Sequence, residues 1–100
     1  MESIIVTVTN TDRSPYDDSC ASMLFEFFYD IELPVNVPVN LLLQDNVDTL
    51  NTYDYNIGSH MNLDVSKVRL LHKRKNTCLE LEKTLDDQGV WNGDYIIISV

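Results

Sequence analysis

The first third of the chain contains two segments in which apolar and polar residues alternate. Residues 3–9 and residues 24–33 both show the period-two pattern that predicts half-buried β-strands. Their apolar positions are Ile4, Val6 and Val8 in the first strand, and Phe25, Phe27, Tyr29, Ile31 and Leu33 in the second. Residues 10–22 are rich in Asn, Asp and Ser and predict a loop that is longer than a tight hairpin needs. The two strands are expected to pair in an antiparallel hairpin, which Pro34 ends because it cannot donate to a ladder.

An apolar stripe with helical spacing follows Pro38. The stripe consists of Val39, Leu43, Val47 and Leu50, and polar residues cover the opposite side. Proline suits the first turn of a helix, because an N–H group has no intrahelical partner there. The spacing predicts one continuous helix of about 14 to 18 residues whose stripe packs against the sheet.

The last third of the chain predicts three more strands. The first covers residues 67–73, and a turn leads to a short strand at residues 78–81. Turn-forming residues then precede a final strand at residues 95–100. The residues expected to face inward are Val68, Leu70, Ile96, Ile98 and Val100. The order of strands and helix predicts an α+β arrangement in which a sheet packs on one helix.

The segment before the final strand resembles the closing segment of ubiquitin-like domains. It reads Thr84-Leu85-Asp86-Asp87-Gln88-Gly89-Val90, then Asn92-Gly93-Asp94, and the pattern in those domains is Thr-Leu-x-Asp-x-x-Ile, a turn and the central strand. Leu85 and Val90 would close the open end of the core, while Asp87 would satisfy backbone donors in the turn between them. The resemblance implies a ubiquitin-like β-grasp with a mixed five-stranded sheet in the order ββαβββ.

Further segments narrow the resemblance to one family. They are Tyr29-Asp30-Ile31-Glu32-Leu33-Pro34, Val37-Pro38-Val39-Asn40-Leu41-Leu42, Val68-Arg69-Leu70-Leu71 and Gly89-Val90-Trp91-Asn92-Gly93-Asp94. Together they are similar to the YukD/EsaB family, small bacterial ubiquitin-like proteins that are encoded with type VII (ESX-like) secretion machinery. The resemblance covers most of the chain except residues 10–22. It implies a cytoplasmic accessory or regulatory role through contacts with the secretion machinery, and it implies no enzyme.

Length and charge limit the domain count and the class of partner. A chain of 100 residues supports one core, so residues 1–100 are expected to form a single domain with an extended loop at 10–22. The net charge is −9, and residues 1–66 hold only one base, Arg13. Because this acidic surface repels phosphate backbones, nucleic acid is not expected as a partner. The N-terminus lacks a basic leader and no apolar run is long enough to span a bilayer, so the protein is expected to be cytoplasmic and not inserted in a membrane.

The residue pattern predicts neither catalysis nor metal binding. His60 and His72 have no nucleophile in a recognisable motif, and the paired acids lie in turns, where they suit solvated or capping roles. Cys20 and Cys78 lack the spacing of a zinc or redox site and are expected to be reduced thiols. The sequence therefore predicts a protein that is not an enzyme and holds no cofactor.

Two groups of residues are candidates for binding a protein partner. If Ile4 and Ile96 face the helix, alternation places a second apolar group on the outer face of the sheet. These outer-face residues are Ile5, Phe28, Leu71, Tyr95 and Ile97. The second group, a basic hairpin that also contains His72, consists of Lys67, Arg69, Lys73, Arg74 and Lys75. The alternatives are strand propensity with partial cover by residues 10–22 for the first group, and a solvated turn for the second.

The leading hypothesis is a non-conjugating ubiquitin-like accessory protein of a type VII-like secretion system that binds other proteins. A homodimer through the outer face is left open, and Trp91 is expected to pack in its turn rather than take part in recognition. The alternatives are a generic β-grasp adaptor in another complex and a ubiquitin-like modifier or sulfur carrier. The last needs a terminal Gly-Gly, whereas this sequence finishes in Ile96-Ile97-Ile98-Ser99-Val100.

Overall fold

The chain folds as a β-sheet with helices packed on one face. The computed structural model describes residues 2–11, 27–55, 57, 59, 61 and 64–99. The strands are β1 (Ser3–Thr9), β2 (Phe28–Pro34), β3 (Arg69–His72), β4 (Thr77–Cys78) and β5 (Tyr95–Ser99). The helices are α1 (Val39–Asp45) and α2 (Val47–Tyr53), and a short 3₁₀-helix covers Val65–Lys67. The expectations for residues 12–26, which include Phe25 and Cys20, and for His60 and Val100 lie outside the described residues.

The strand order of the sheet is β2-β1-β5-β3-β4. β1 pairs antiparallel with β2 and parallel with β5, while β5 pairs antiparallel with β3. The last strand therefore lies at the centre of the sheet, between the first strand and the third. This topology confirms the predicted α+β arrangement with a mixed five-stranded sheet.

The inner face of the sheet forms the core together with the helices. The residues predicted to face inward are buried there, namely Val6, Val8, Leu33, Val68, Leu70, Ile96 and Ile98. Ile4, Tyr29 and Ile31 are partly buried and pack against the same cluster. Leu85 and Val90 are also buried, as predicted for the residues that close the core. The period-two pattern thus identified the buried face of each of these strands.

The closing turn uses different polar groups from those predicted. The backbone N–H of Asp87 donates to Thr84 Oγ1 at 3.1 Å. Gln88 Nε2 donates to the carbonyls of Glu80 and Thr84, and Gln88 Oε1 accepts from the Glu80 N–H. Thr84 and Gln88, rather than the Asp87 carboxylate, therefore provide the side-chain hydrogen bonds of this turn.

The predicted single helix is interrupted at Asn46. The backbone N–H of Asn46 donates to Leu43 O at 3.2 Å, and its side-chain Nδ2 donates to Leu42 O at 2.8 Å. The side chain thus takes the carbonyl that an uninterrupted helix would offer to the Asn46 N–H, a competition that is typical of asparagine. Leu42 also joins the core, because it shares a helix face with Val39 and Leu43, while Val47 beyond the interruption is only half-buried.

The third and fourth strands are shorter than predicted. Lys67 belongs to the 3₁₀-helix, whose first residue follows Asp64, and the Asp64 side chain accepts a hydrogen bond from the Ser66 N–H. Lys73 belongs to the turn after β3. A cap at one end and a turn at the other therefore limit β3 to four residues.

Candidate protein-interaction surface

The predicted outer-face residues do share the face of the sheet that is opposite to the helices. In the strand register, Thr9 is aligned with Phe28 on one side and with Ile97 on the other. Ile97 is in turn aligned with Leu71, and Leu71 with Cys78. One row of side chains therefore crosses all five strands. Tyr95 lies in the neighbouring row, where it is aligned with Thr7.

The outer face is only partly open to solvent. Ile5 is 50% exposed, while Phe28, Leu71, Tyr95 and Ile97 are half-buried. Thr9, in the middle of the row, is fully buried. The accessible apolar surface is therefore concentrated near Ile5, at the end of the sheet where the turn before β5 lies.

Charged side chains divide the outer face into an acidic and a basic side. Asp30 and Glu32 point outward from β2, where Asp30 Oδ1 accepts a hydrogen bond of 2.6 Å from Thr7 Oγ1. Arg69 is exposed on the same face of β3. Three strand spacings, or roughly 14 Å, separate β2 from β3. The face therefore offers opposite charges to different parts of a partner.

The five basic candidates do not form one tip. Lys67 and Arg69 are exposed at one end of β3, whereas residues 73–75 lie in the turn at its other end. Lys73 Nζ lies 5.6 Å from the centre of the Tyr95 ring, and Lys75 Nζ donates to Gln88 O at 3.1 Å. The turn therefore folds back onto the C-terminal segment of its own chain.

A buried carboxylate explains how this turn is held. Asp94 is 8% exposed, and its Oδ2 accepts hydrogen bonds from the Trp91 N–H at 2.8 Å and from His72 Nε2 at 2.7 Å. Arg74 Nε donates to Asp94 Oδ1 at 3.0 Å, and Arg74 Nη2 donates to Gly89 O at 2.5 Å. We call this group of His72, Arg74, Trp91 and Asp94 the Asp94 cluster.

The Asp94 cluster keeps its carboxylate ionised. Burial raises the pKa of Asp94, but the hydrogen bonds from Arg74, from the Trp91 N–H and from His72 outweigh burial and hold the pKa below its ordinary value. An ionised carboxylate only accepts hydrogen bonds, so His72 Nε2 is the donor. His72 is fully buried, which corrects its placement with the basic hairpin at the surface.

The structure also corrects the prediction that Trp91 packs inside its turn. Trp91 is 63% exposed, and the Arg74 guanidinium carbon lies 3.7 Å from the centre of its ring. The order of residues alone did not indicate this pair, because Arg74 and Trp91 meet only when β3 and β5 become neighbours. The Asn92-Gly93-Asp94 sequence did indicate that Trp91 precedes a tight turn, and a large side chain next to such a turn often stays exposed to solvent.

Glycine at position 89 makes room for the same contacts. Gly89 has a positive φ of 67°, a region that side chains of L-residues rarely occupy. A Cβ atom at this position would lie 2.5 Å from Lys75 Nζ. Gly89 therefore allows the Lys75 side chain to reach the backbone of the closing turn.

A family model identifies the chain. The model described as "WXG100 protein secretion system (Wss), protein YukD" matches residues 4–98. The chain belongs to the YukD family. The family assignment agrees with the resemblance found in the sequence, and it places this YukD-family chain among proteins that are associated with WXG100 secretion. A search of curated proteins found no match.

Solved structures confirm the ubiquitin-like fold of this YukD-family chain. The ubiquitin-like domain of the type VII secretion system protein EccD1 from Mycobacterium tuberculosis is 20% identical, with a TM-score of 0.59 and complete coverage of both chains. The ubiquitin of Caldiarchaeum subterraneum is 15% identical, with a TM-score of 0.53 over 97% of this chain and 91% of that one. At identities of 20% and 15%, the similarity shows a shared fold.

Two searches for other features concern the described residues alone. Within the described ranges, the helices are too short and too polar to cross a membrane. In the same part of the chain, His, Cys, Asp and Glu side chains do not gather in a group of three or more that could hold a metal ion.

Proposed function

We propose that this YukD-family chain is a non-conjugating accessory or regulatory protein of a type VII-like secretion system, and that it acts in the cytoplasm by binding protein components of that system. The observation that carries the proposal is the family match over residues 4–98. The action is contact rather than catalysis, and it needs no cofactor.

The outer face of the sheet supplies the contact surface in this proposal. Ile5 provides exposed apolar area, and Phe28, Leu71, Tyr95 and Ile97 extend it as half-buried neighbours. Apolar side chains that remain accessible on one face commonly mark an interaction site. The exposed Arg69 lies on this face and the exposed Lys67 precedes it in the 3₁₀-helix, and both cations would orient a partner that carries negative charge.

The test is affinity purification from the native host, followed by identification of the captured proteins. The proposal predicts capture of a component of the secretion system by the wild-type chain and weaker capture by Phe28→Asp, provided that the variant remains folded. Capture of proteins from an unrelated complex alone would instead support a generic β-grasp adaptor. If Phe28→Asp unfolds the protein, the outer face is internal to the fold and the contact surface is wrong.

Charge reversal at the border sharpens this test. The variant Lys67→Glu with Arg69→Glu is preferable to a change at Arg74, because Arg74 also holds the buried Asp94 carboxylate. Lys83→Glu is the matched control, since Lys83 is an exposed base that pairs with Glu80 away from β3. Weaker capture with a reduced dependence on salt is expected only for the double variant.

The mass of the chain under denaturing conditions tests whether it acts without covalent conjugation. An epitope-tagged chain expressed in the host should migrate as a single species of its own mass under denaturing conditions. A ladder of heavier adducts that survives denaturation would show conjugation and would contradict the proposal.

A further inference from the structure

The Asp94 cluster holds an exposed aromatic side chain in a fixed position. Trp91 is 63% exposed, yet its backbone N–H donates to Asp94 and its ring lies against Arg74. Arg74 is itself fixed, because it donates to both Asp94 and Gly89. One buried carboxylate therefore positions the backbone of the tryptophan and the cation that covers one side of its ring.

A second exposed apolar side chain lies next to this tryptophan. The N–H of Ile5 donates to Asn92 Oδ1 at 2.8 Å, and the Gly93 N–H donates to Ile5 O at 2.7 Å. These bonds join β1 to the turn that begins at Trp91. Ile5 and Trp91 are two of the large apolar side chains that the described residues leave exposed. Ile5 and Trp91 therefore belong to neighbouring backbone segments at this end of the sheet, which we call the apolar corner.

The side of this corner that the turn after β3 forms is basic, although the chain as a whole carries a charge of −9 and the exposed Glu32 is aligned with Ile5 on the other side. The turn that reaches Trp91 contains the consecutive cations Lys73, Arg74 and Lys75, and Lys73 also approaches the Tyr95 ring. A negatively charged partner would be repelled by most of this molecule and attracted at this corner, so the charge distribution orients the encounter.

We propose that Trp91 is the anchor by which this chain docks on its protein partner, where it enters an apolar cleft that is bordered by carboxylates. Tryptophan, tyrosine and arginine are the residue types that carry most binding energy in protein interfaces. A side chain that is already held in place loses little conformational entropy on binding, which favours affinity. This inference rests on the function proposed above, and it names the contact residue and the partner chemistry.

Tyr55 provides the matched comparison. It is 72% exposed, more than Trp91, and lies just beyond α2. Among the described residues it takes part in neither an aromatic pair nor a cation contact, whereas Trp91 is held by two residues, Asp94 and Arg74. If exposure alone made an anchor, Tyr55 would serve better than Trp91.

The experiment uses the full chain and the separately purified cytoplasmic domains of the host's type VII membrane components. Trp91 is the only tryptophan, so its emission reports directly on its own environment. Titration with the partner domain is expected to shift the emission to shorter wavelength and to protect the ring from acrylamide. Calorimetry with Trp91→Ala should show binding that is about 30-fold weaker or more, while Tyr55→Ala changes it less than about 2-fold.

Arg74→Lys tests the positioning role of the guanidinium. The variant keeps the charge but loses the planar group that stacks on the ring and donates to Asp94. Faster acrylamide quenching of Trp91 in the free protein and an intermediate loss of affinity are expected. Unchanged quenching would show that Arg74 does not position the ring and would overturn that part of the inference.

The outcomes separate this inference from the proposed function. A domain that binds wild type and Trp91→Ala equally well, without a change in Trp91 emission, would overturn the anchor and leave the proposed function in place. If none of the domains binds the wild-type chain, the proposed function fails and the anchor fails with it. Because Trp91 is mostly exposed, circular dichroism of Trp91→Ala should confirm an intact fold.

Discussion

The segment before β5, residues 84–94, is attached to the rest of the molecule in two chemically different ways. On one side, Leu85 and Val90 are buried in the core with the sheet and the helices. On the other side, Asp94 accepts hydrogen bonds from Trp91, His72 and Arg74. The apolar attachment is non-directional, whereas the polar attachment works only in one geometry. Burial of Leu85 and Val90 therefore stabilises the fold, whereas the hydrogen bonds of the Asp94 cluster fix the positions of Arg74 and Trp91.

The largest expected effect comes from the apolar side. Leu85→Ala should lower the free energy of unfolding by about 3 kcal/mol, because it removes a side chain that is 1% exposed and leaves a cavity. Chemical denaturation monitored by circular dichroism measures this change. Leu41→Ala, at a position that is 45% exposed, is the control and should stay within about 0.5 kcal/mol of wild type. Equal effects of both variants would contradict the description of the core.

Loss of the polar attachment should reduce stability less than loss of Leu85, but it should change the environment of Trp91 more. Asp94→Asn should lower the free energy of unfolding by about 1 to 3 kcal/mol, because the buried donor of His72 and the partly exposed guanidinium of Arg74 lose their charged acceptor. Unlike Leu85→Ala, it should also increase acrylamide quenching of Trp91 in the folded protein. Asp86→Asn is the control, because it removes an exposed carboxylate from the same segment of residues 84–94. Unaltered quenching in Asp94→Asn would show that the cluster does not hold the tryptophan.

The stability that the Asp94 carboxylate contributes should depend on pH. The pKa of Asp94 in the folded state lies below its ordinary value of 3.8, so its carboxylate stabilises the folded state above that value. This contribution is lost as the pH falls below 3.8 and through the lower pKa of the folded state. The stability difference between wild type and Asp94→Asn should therefore be greatest near neutral pH and shrink on acidification. A difference that stays constant down to about pH 2 would contradict the assignment of the charge to Asp94.

The smallest effect is expected at the interruption of the helix. Asn46→Ala removes the side-chain bond to Leu42 O and restores the preference for a continuous helix. Its effect on unfolding should remain within about 0.5 kcal/mol, with a slightly stronger helical signal in circular dichroism. A large loss of stability would show that the interruption is needed for packing between α1 and α2.

The buried face of the fold was predictable because it depends on periodicity. Alternation identified Val6, Val8, Ile96 and Ile98 as inward-facing, and the resemblance around Leu85 identified the closing turn. The central position of β5 followed from the same resemblance rather than from the pattern itself. The interruption at Asn46 was missed because an apolar stripe does not record competition for a single carbonyl.

The candidate site was predictable only in part. Alternation placed Ile5, Phe28 and Leu71 on the outer face, because side-chain direction in a strand follows from local sequence. The Asp94 cluster was missed because its members are separated in sequence by up to 22 residues and meet only through the pairing of β3 with β5. For the same reason, residues 73–75 read as a solvated basic turn although two of them bond to the closing turn.

The proposed function requires direct contact between the outer face of this YukD-family chain and the secretion machinery. The most direct measurement is photo-crosslinking in the native host with a photoreactive amino acid placed at Ile5 or, as a control, at Tyr55. We expect a crosslink from Ile5 to a component of the secretion system and none to that component from Tyr55. Crosslinks to such a component from Tyr55 alone, or to unrelated proteins from both positions, would contradict it.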